Sequence, residues 1–333
     1  MSTTTDFYKL IVPGIRKVLR ETVQEYPNYI PYLFNTETSK MNSETDVDYS
    51  GISEFEKVGE NGKVPYEDNN QGYITKYSFP TWKKGMQVSK ELHDDDLSTK
   101  VSKMKAKALA ASFMRTINDE AFSMFRNGFT TTSTSYGDAK PLFSVIHPRA
   151  DGGATQSNAS ATGVTLTNDN LETAILALQQ VLNHKGQLEE RGFNQINLVI
   201  PPALRKTALE ITDSDKVSGE ISNTMNVYFN GKPWKVKTIT PSNNVLFSRR
   251  YNLGIFICPW LSSLAGGSDT AWFLVEEGNH RLNYFTRENL SISSFIDEET
   301  DALKTKARCR FGKGWSDWRS TWGSKGDGVA YAY

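Results

Sequence analysis

"KARCRFGKGWSDWRSTWGS", Lys306–Ser324, is the stretch from which the architecture reads outward. It continues a strand pattern that begins at Leu303. Leu303, Ala307, Cys309 and Phe311 share one side, while Lys304, Lys306, Arg308 and Arg310 share the other. That period of two predicts a strand buried on one face only. Four cations in line on the other face must meet water, acidic groups or phosphate. Trp315, Trp318 and Trp322 follow among basic residues. Such a mixture can stack on unpaired bases, but indoles that dock against a neighbouring element are the simpler reading.

Upstream, the chain alternates between extended and helical patterns. Residues 1–45 carry Pro13, Pro27 and Pro31 around a short helical pattern from Ile15 to Val23. They read as an arm that lies against something, because they lack a core of their own. "TDVDYSGISEFEKV" (45–58) and "YITKYSFPTW" (73–82) suit strands, with Tyr73, Thr75, Tyr77 and Phe79 opposed to Ile74, Lys76 and Ser78. Between them Gly59, Gly62, Pro65, Asn69, Asn70 and Gly72 make a long, turn-rich tip, so the segment is a protruding hairpin. Beyond His93–Asp96, whose carboxylates favour a helix start, apolar residues keep helical spacing to Gly128. They are Leu97, Val101, Met104, Ala108, Ala111, Met114, Ile117, Ala121, Phe122 and Phe125. A helix over 97–127 would span roughly 46 Å, long enough for a spine across the molecule.

The second half reads as an α/β portion over residues 166–286. Leu171, Ile175, Leu178 and Leu182 fall on one helical face, with Gly186 placed to end the helix. Ile196–Ile200 is an apolar strand that runs into a helix opened by proline. "YNLGIFICPW" and "TAWFLVEEG" are further strands.

The totals fit a folded, self-contained chain. Its 333 residues are 38% apolar and 23% charged, and 38 basic groups balance 38 acidic ones. Two distant cysteines, Cys258 and Cys309, have no metal-ligand spacing and suit a reducing setting. No signal peptide and no apolar run of membrane length is read, so the protein is expected in the cytoplasm where it is made. Phosphate loops, nucleophile elbows, zinc-protease and dinucleotide motifs are all absent, and no cofactor or metal is expected. His147 precedes Pro148 in "KPLFSVIHPRADGGATQSN" (140–158), a stretch that looks like an active-site loop but reads better as a connector.

Local charge carries more than net charge. Residues 37–68 hold nine acids and three bases, a net of −6; residues 304–325 hold seven bases and one acid, a net of +6; the helix over 98–126 is at +4. An acidic hairpin and basic elements on one neutral chain suit a protein that binds copies of itself.

Several strings in order resemble the major capsid (major head) proteins of tailed double-stranded-DNA bacteriophages, particularly the Mu-like head subunits. They are "KPLFSVIHPRADGGATQSN", "NLETAILALQQVLNHKG…INLVIPPALRKTA", "AWFLVEE" and "KARCRFGKGWSDWRSTWGS". The resemblance implies an α+β phage major capsid fold. Its parts are an N-terminal arm (1–45), an extended β-hairpin loop (46–90), a spine helix with peripheral domain (91–165), an axial α/β domain (166–286) and peripheral return strands with the C-terminal tail (287–333).

The resemblance further implies no enzyme, but a structural protein that self-assembles into hexamers and pentamers of an icosahedral head around double-stranded DNA. The DNA would be touched without sequence preference. No membrane enters. A separate scaffolding protein, or none, is expected, together with a portal and a decoration protein. Candidate inter-subunit contacts are Glu54, Glu56, Glu60, Glu67 and Asp68 on the loop, Lys304, Lys306, Arg308 and Arg310 on the strand, and Trp315, Trp318 and Trp322 in the tail. The alternatives are a nanocompartment (encapsulin-like) shell that encloses cargo enzymes, an α/β enzyme with a site near His147, and a nucleic-acid binder using the indoles.

Overall fold

The computed structural model describes residues 4–49, 51–68, 71–89, 91, 100–130, 137–212, 228–229, 232–233 and 253–331. His93–Asp96 and Leu97 lie outside them. The elements in order are α1 (Thr4–Glu25), β1 (Asn35–Thr38), β2 (Ser43–Tyr49), β3 (Gln71–Ser78), β4 (Thr81–Val88), α2 (Lys100–Arg126), α3 (Asn168–Gln179) and β5 (Ile196–Ile200). Then come α4 (Arg205–Thr212), the two-residue strands β6 (Tyr228–Phe229) and β7 (Lys232–Pro233), β8 (Leu253–Ile257), β9 (Trp272–Glu276), β10 (Leu282–Ile296), β11 (Leu303–Trp315) and β12 (Thr321–Ser324).

The chain divides into two compact units: residues 1–46, 75–124 and 282–316 form the first, and 47–74, 125–281 and 317–333 the second. The first is built on a sheet ordered β1-β10-β11-β4. β11 alternates as its sequence requires: Leu303, Thr305, Ala307, Cys309 and Phe311 are buried, while Lys306 and Arg308 are exposed. α1 and α2 pack on the apolar face through Ile15, Leu19, Ala106, Leu109 and Ala110 against Leu303 and Ala307. The arm therefore finds its core on its own chain. Its helix runs through Pro13, which punctuates nothing, and is longer than the Ile15–Val23 pattern.

Two register shifts interrupt the β10–β11 ladder, between Thr286 and Glu288 and between Glu288 and Ser291. Each puts one extra residue in β10, and paired bulges bend long strands and raise their twist. There a cavity of about 290 Å³ opens beside Phe113 and Ile117 of α2.

The second unit holds the sheet β12-β9-β5-β8, in which β5 and β8 are parallel and β9 antiparallel. The central strands β5 and β9 are buried on both faces, while β8 is half-buried beyond Leu253. β5 and β9 are apolar almost throughout, and α3 lays Leu171, Ala174, Ile175 and Leu178 into a cluster with Leu198, Trp272 and Trp322. Each such large side chain, fully buried, contributes roughly 1.5–3 kcal/mol. Thr167 opens α3, its side chain accepting from Asn170 N.

Three expectations are corrected. α2 buries Ser102, Ala106, Leu109 and Ala110 in its first turns, so Met104 and Ala108 face outward. The expected helical stripe holds from Ala111 onward, where Ala111, Met114, Ala121, Phe122 and Phe125 are buried; in the first turns Ala106, Leu109 and Ala110 take the inward side instead. α3 stops at Gln179, and Leu182 instead bridges Leu188 across a turn containing Gly186 at φ +79°. The strand expected over 45–58 ends at Tyr49, and among the described residues no strand pairs with residues 51–68. β3 keeps its predicted alternation, with Thr75, Tyr77 and Phe79 inward.

Ile175→Ala should lower the unfolding free energy by about 2–5 kcal/mol in urea titration. A loss under about 1 kcal/mol would place α3 outside the core of its unit.

Candidate assembly surfaces

Residues 51–68 leave β2 and return to β3 without regular structure, and every one except Gly51 is exposed. Glu54, Glu56, Glu60 and Asp68 point into solvent there. So do large apolar groups: Phe55 and Tyr66 are 108% and 93% exposed, and Ile52, Val58 and Val64 are exposed with them. A loop this apolar and this exposed on a single chain marks an interaction surface. The charge pattern found the acids; the apolar members were missed. An aromatic inside a Gly-, Asn- and Pro-rich acidic stretch was the available signal.

The loop has a tied neck. Ser53 donates its N–H (2.8 Å) and hydroxyl (2.9 Å) to Glu67, and Lys185 donates to the same carboxylate. With Lys185 as the largest cause, Glu67 falls to a pKa of about 2.

Below the neck a buried charge cluster holds the hairpin base within its unit. Asp48 of β2 meets His184 Nε2 at 2.6 Å, and Arg319 stands 3.9 Å from the same carboxylate. Arg319 also pairs with Asp317 at 3.0 Å and Glu189 at 3.5 Å, and donates to Leu182 O. Arg191 joins Glu189 (2.7 Å) to Asp317 (3.2 Å). Tyr73 of β3 sets its ring edge-on to His184 and donates its hydroxyl to Pro148 O at 3.3 Å. Arg319–Asp317 and Arg191–Glu189 are two residues apart, but the links of Asp48 to His184 and of Arg191 to Asp317 cross more than a hundred positions, so no spacing announces them.

His147 is fully buried, with Nδ1 at 2.6 Å from Asp138, Nε2 at 3.1 Å from Asn158 and its ring stacked on Trp318. Asn158 in turn accepts from Ser144 N and donates to Leu142 O. These contacts tie residues 138–158 together, and Asn158 also reaches β12 through Thr321 Oγ1 at 3.3 Å. The "HPRADGG" stretch is a connector. Cys258 and Cys309 are buried and free, and burial pushes their thiols up to about 12 and about 11. Neither is a nucleophile.

The four cations of β11 do share one face, and three of them have partners on it. Lys304 pairs with Asp297 at 2.7 Å and Arg308 with Glu288 at 3.2 Å, while Lys306 lies over the Phe295 ring. Arg310 donates to Phe79 O at 3.0 Å. Trp315, Trp318 and Trp322 are each 5% exposed and belong to the interior of their own chain. Among the described residues no cluster of His, Cys, Asp and Glu could hold a metal, and no helix is long and apolar enough to cross a membrane.

A loop that spends its apolar residues on solvent suits a chain that meets a partner there. The family model for phage capsid proteins matches residues 72–322, well over half of the chain. This chain belongs to the phage capsid protein family. As a phage capsid protein it is a structural component of the virion shell, assembled with copies of itself, and not an enzyme.

Its fold is similar to solved capsid chains at low sequence identity. One, from Mycobacterium phage Patience, matches at TM-score 0.55 and 14% identity over 99% of this chain and 90% of that one. Another, from the mature capsid of bacteriophage PhiM1, matches at TM-score 0.54 and 10% identity over 88% and 84%. The capsid of a native GTA particle matches at TM-score 0.53 and 13% identity over 88% of each. No curated protein sequence matches at significance.

Burial pushes the Asp317 carboxyl up, but Arg319 and Arg191 outweigh it and hold the group below the usual carboxylate range. A folded pKa below the unfolded one stabilises above the ordinary value of about 3.9, and that stability drains as pH falls through the folded value. The thermal midpoint of the capsid protein should therefore fall on acidification below about pH 4. Asp317→Asn should lower the midpoint at neutral pH and flatten that acid slope. An unchanged slope would remove Asp317 from the acid response.

Proposed function

We propose that this capsid protein is the major head subunit, of the Mu-like type, and that it closes into hexamers and pentamers of an icosahedral shell around double-stranded DNA in the host cytoplasm. The Mu-like assignment is supported by the four strings that occur in the order expected of that type. In this reading residues 1–45 are the arm, 46–90 the extended loop, 91–165 and 287–333 the peripheral parts and 166–286 the axial domain.

The observation that carries the reading is the exposed, acidic and apolar loop over residues 51–68, tied at Ser53–Glu67 and anchored at Asp48. It is built to reach a neighbour. Basic surface receives it, offered by Lys83, Lys84, Lys306 and Arg308, all exposed. Single exposed ion pairs contribute only about 0–1 kcal/mol, so cohesion comes from repetition around each ring and from the apolar groups between the charges. Packaged DNA is met through unspecific Lys and Arg contacts, and scaffolding, portal and decoration proteins are the further partners of such a shell. The phage family match favours a genome over cargo enzymes as the content.

The test is electron microscopy of particles from the wild type and from Glu54→Lys/Glu56→Lys/Glu60→Lys. Wild-type protein should give closed shells, tubes or rings whose purified form protects DNA from nuclease. The triple variant should stay a folded subunit, since solvent-facing substitutions change stability by no more than about 0.5 kcal/mol, and should form no shells. Normal shells from the variant would end the role assigned to the loop's charge.

A further inference from the structure

We propose that β4 accepts a fifth strand from a second copy of this chain. That strand is residues 54–58 of the loop, with Glu54 and Glu56 facing Lys83, and Phe55 entering the cavity beside Trp82. The inference rests on the self-assembly reading above and names where the loop lands.

The site has three parts, and the first is an open edge. Among the described residues β4 ends its sheet and pairs with β11 alone, its eight residues in unbroken register from Thr81 opposite Arg310 to Val88 opposite Leu303. Lys105 Nζ donates to Gln87 O at 2.9 Å, so that carbonyl points away from β11. By the period of two, the backbone groups of Lys83 and Gly85 point the same way. An edge with outward N–H and C=O groups is a template for another strand.

The second part is charge. Lys83 stands directly opposite Arg308 on the outer face, with Lys306 next along it. Like charges so placed repel, and Glu288 pairs with Arg308. Lysines on an edge also discourage unselected pairing. An acidic strand turns both costs into attraction, and "EFEKV" (54–58) alternates so that Glu54 and Glu56 share one side and Phe55 the other.

The third part is a socket. On the inner face a cavity of about 180 Å³ opens between Trp82, Leu109, Phe113, Leu290 and Ala307. A cavity of ~150 Å³ takes a benzene ring, so one phenyl fits by size, its ring against the apolar lining and its mouth at Lys83, Lys84 and Arg308. Trp82 Nε1 is buried with no hydrogen-bond partner among the described residues. Phe55, more exposed than any other large apolar residue described, supplies the ring. The Ser53–Glu67 neck ends one residue before this strand and holds it out as a probe.

Two measurements decide it. Hydrogen exchange on wild-type protein should show the amides of Thr81–Val88 slowed by about tenfold or more in shells relative to free subunits, because the outward donors become hydrogen-bonded. Glu54→Cys/Lys83→Cys shells, oxidised and run without reductant, should give a ladder of covalent oligomers, with the native Cys258 and Cys309 buried and silent. Shells that form normally but show unchanged exchange at β4 and no ladder overturn the inference and leave self-assembly standing. Wild-type protein that never assembles overturns the assembly reading, and this inference with it.

Discussion

Arg319 stands among Asp48, Asp317 and Glu189, 4% exposed, with His184 against its guanidinium. The second unit depends on this cluster. Eighteen loop residues bury almost nothing, so their orientation cannot come from packing of their own; it must be imposed at the base. Asp48 transmits it from β2, Tyr73 from β3, and Lys185 fixes the neck through Glu67. A buried charge with its partner removed costs about 3–5 kcal/mol, far more than a surface pair, so the cluster is stiff where a row of exposed pairs would not be.

The same contrast between buried and exposed charge orders the first unit. Along β11, Lys304 and Arg308 spend part of their charge on Asp297 and Glu288 of their own chain, which leaves the β4 edge as the less neutralised strip. The paired bulges in β10 deform the sheet just where α2 passes over it, and the cavities there lie between Phe113 and the strands. A sheet without bulges would pack flat against α2. Its apolar face would then be closed.

What was legible in the sequence was what depends on near neighbours. Alternation in "LKTKARCRF" and "YITKYSF", the apolar run "INLVI", and the helix cap at Thr167 are set by residues within a few positions of one another. The indoles show the limit. Trp322 could be read as apolar weight in a basic tail, but its place against Trp272 in the core depends on β12 pairing with β9, where Trp322 stands opposite Leu274. Met104 fitted the helical spacing of apolar residues, yet the helix turns it to solvent and sets Ala106 and Ala110 against the strands.

The sequence by itself determined the element types, the charge division between an acidic hairpin and a basic strand, and the absence of the usual catalytic motifs. These are properties of composition and short periods, which the chain carries unfolded or folded. Only the tertiary structure decided that the hairpin base is clamped by Asp48, His184 and Arg319, that the indoles are interior, and that β4 is left as an edge. Each of those joins residues dozens to hundreds of positions apart. No local preference encodes such pairings, because they form only when the whole chain has chosen where its strands lie.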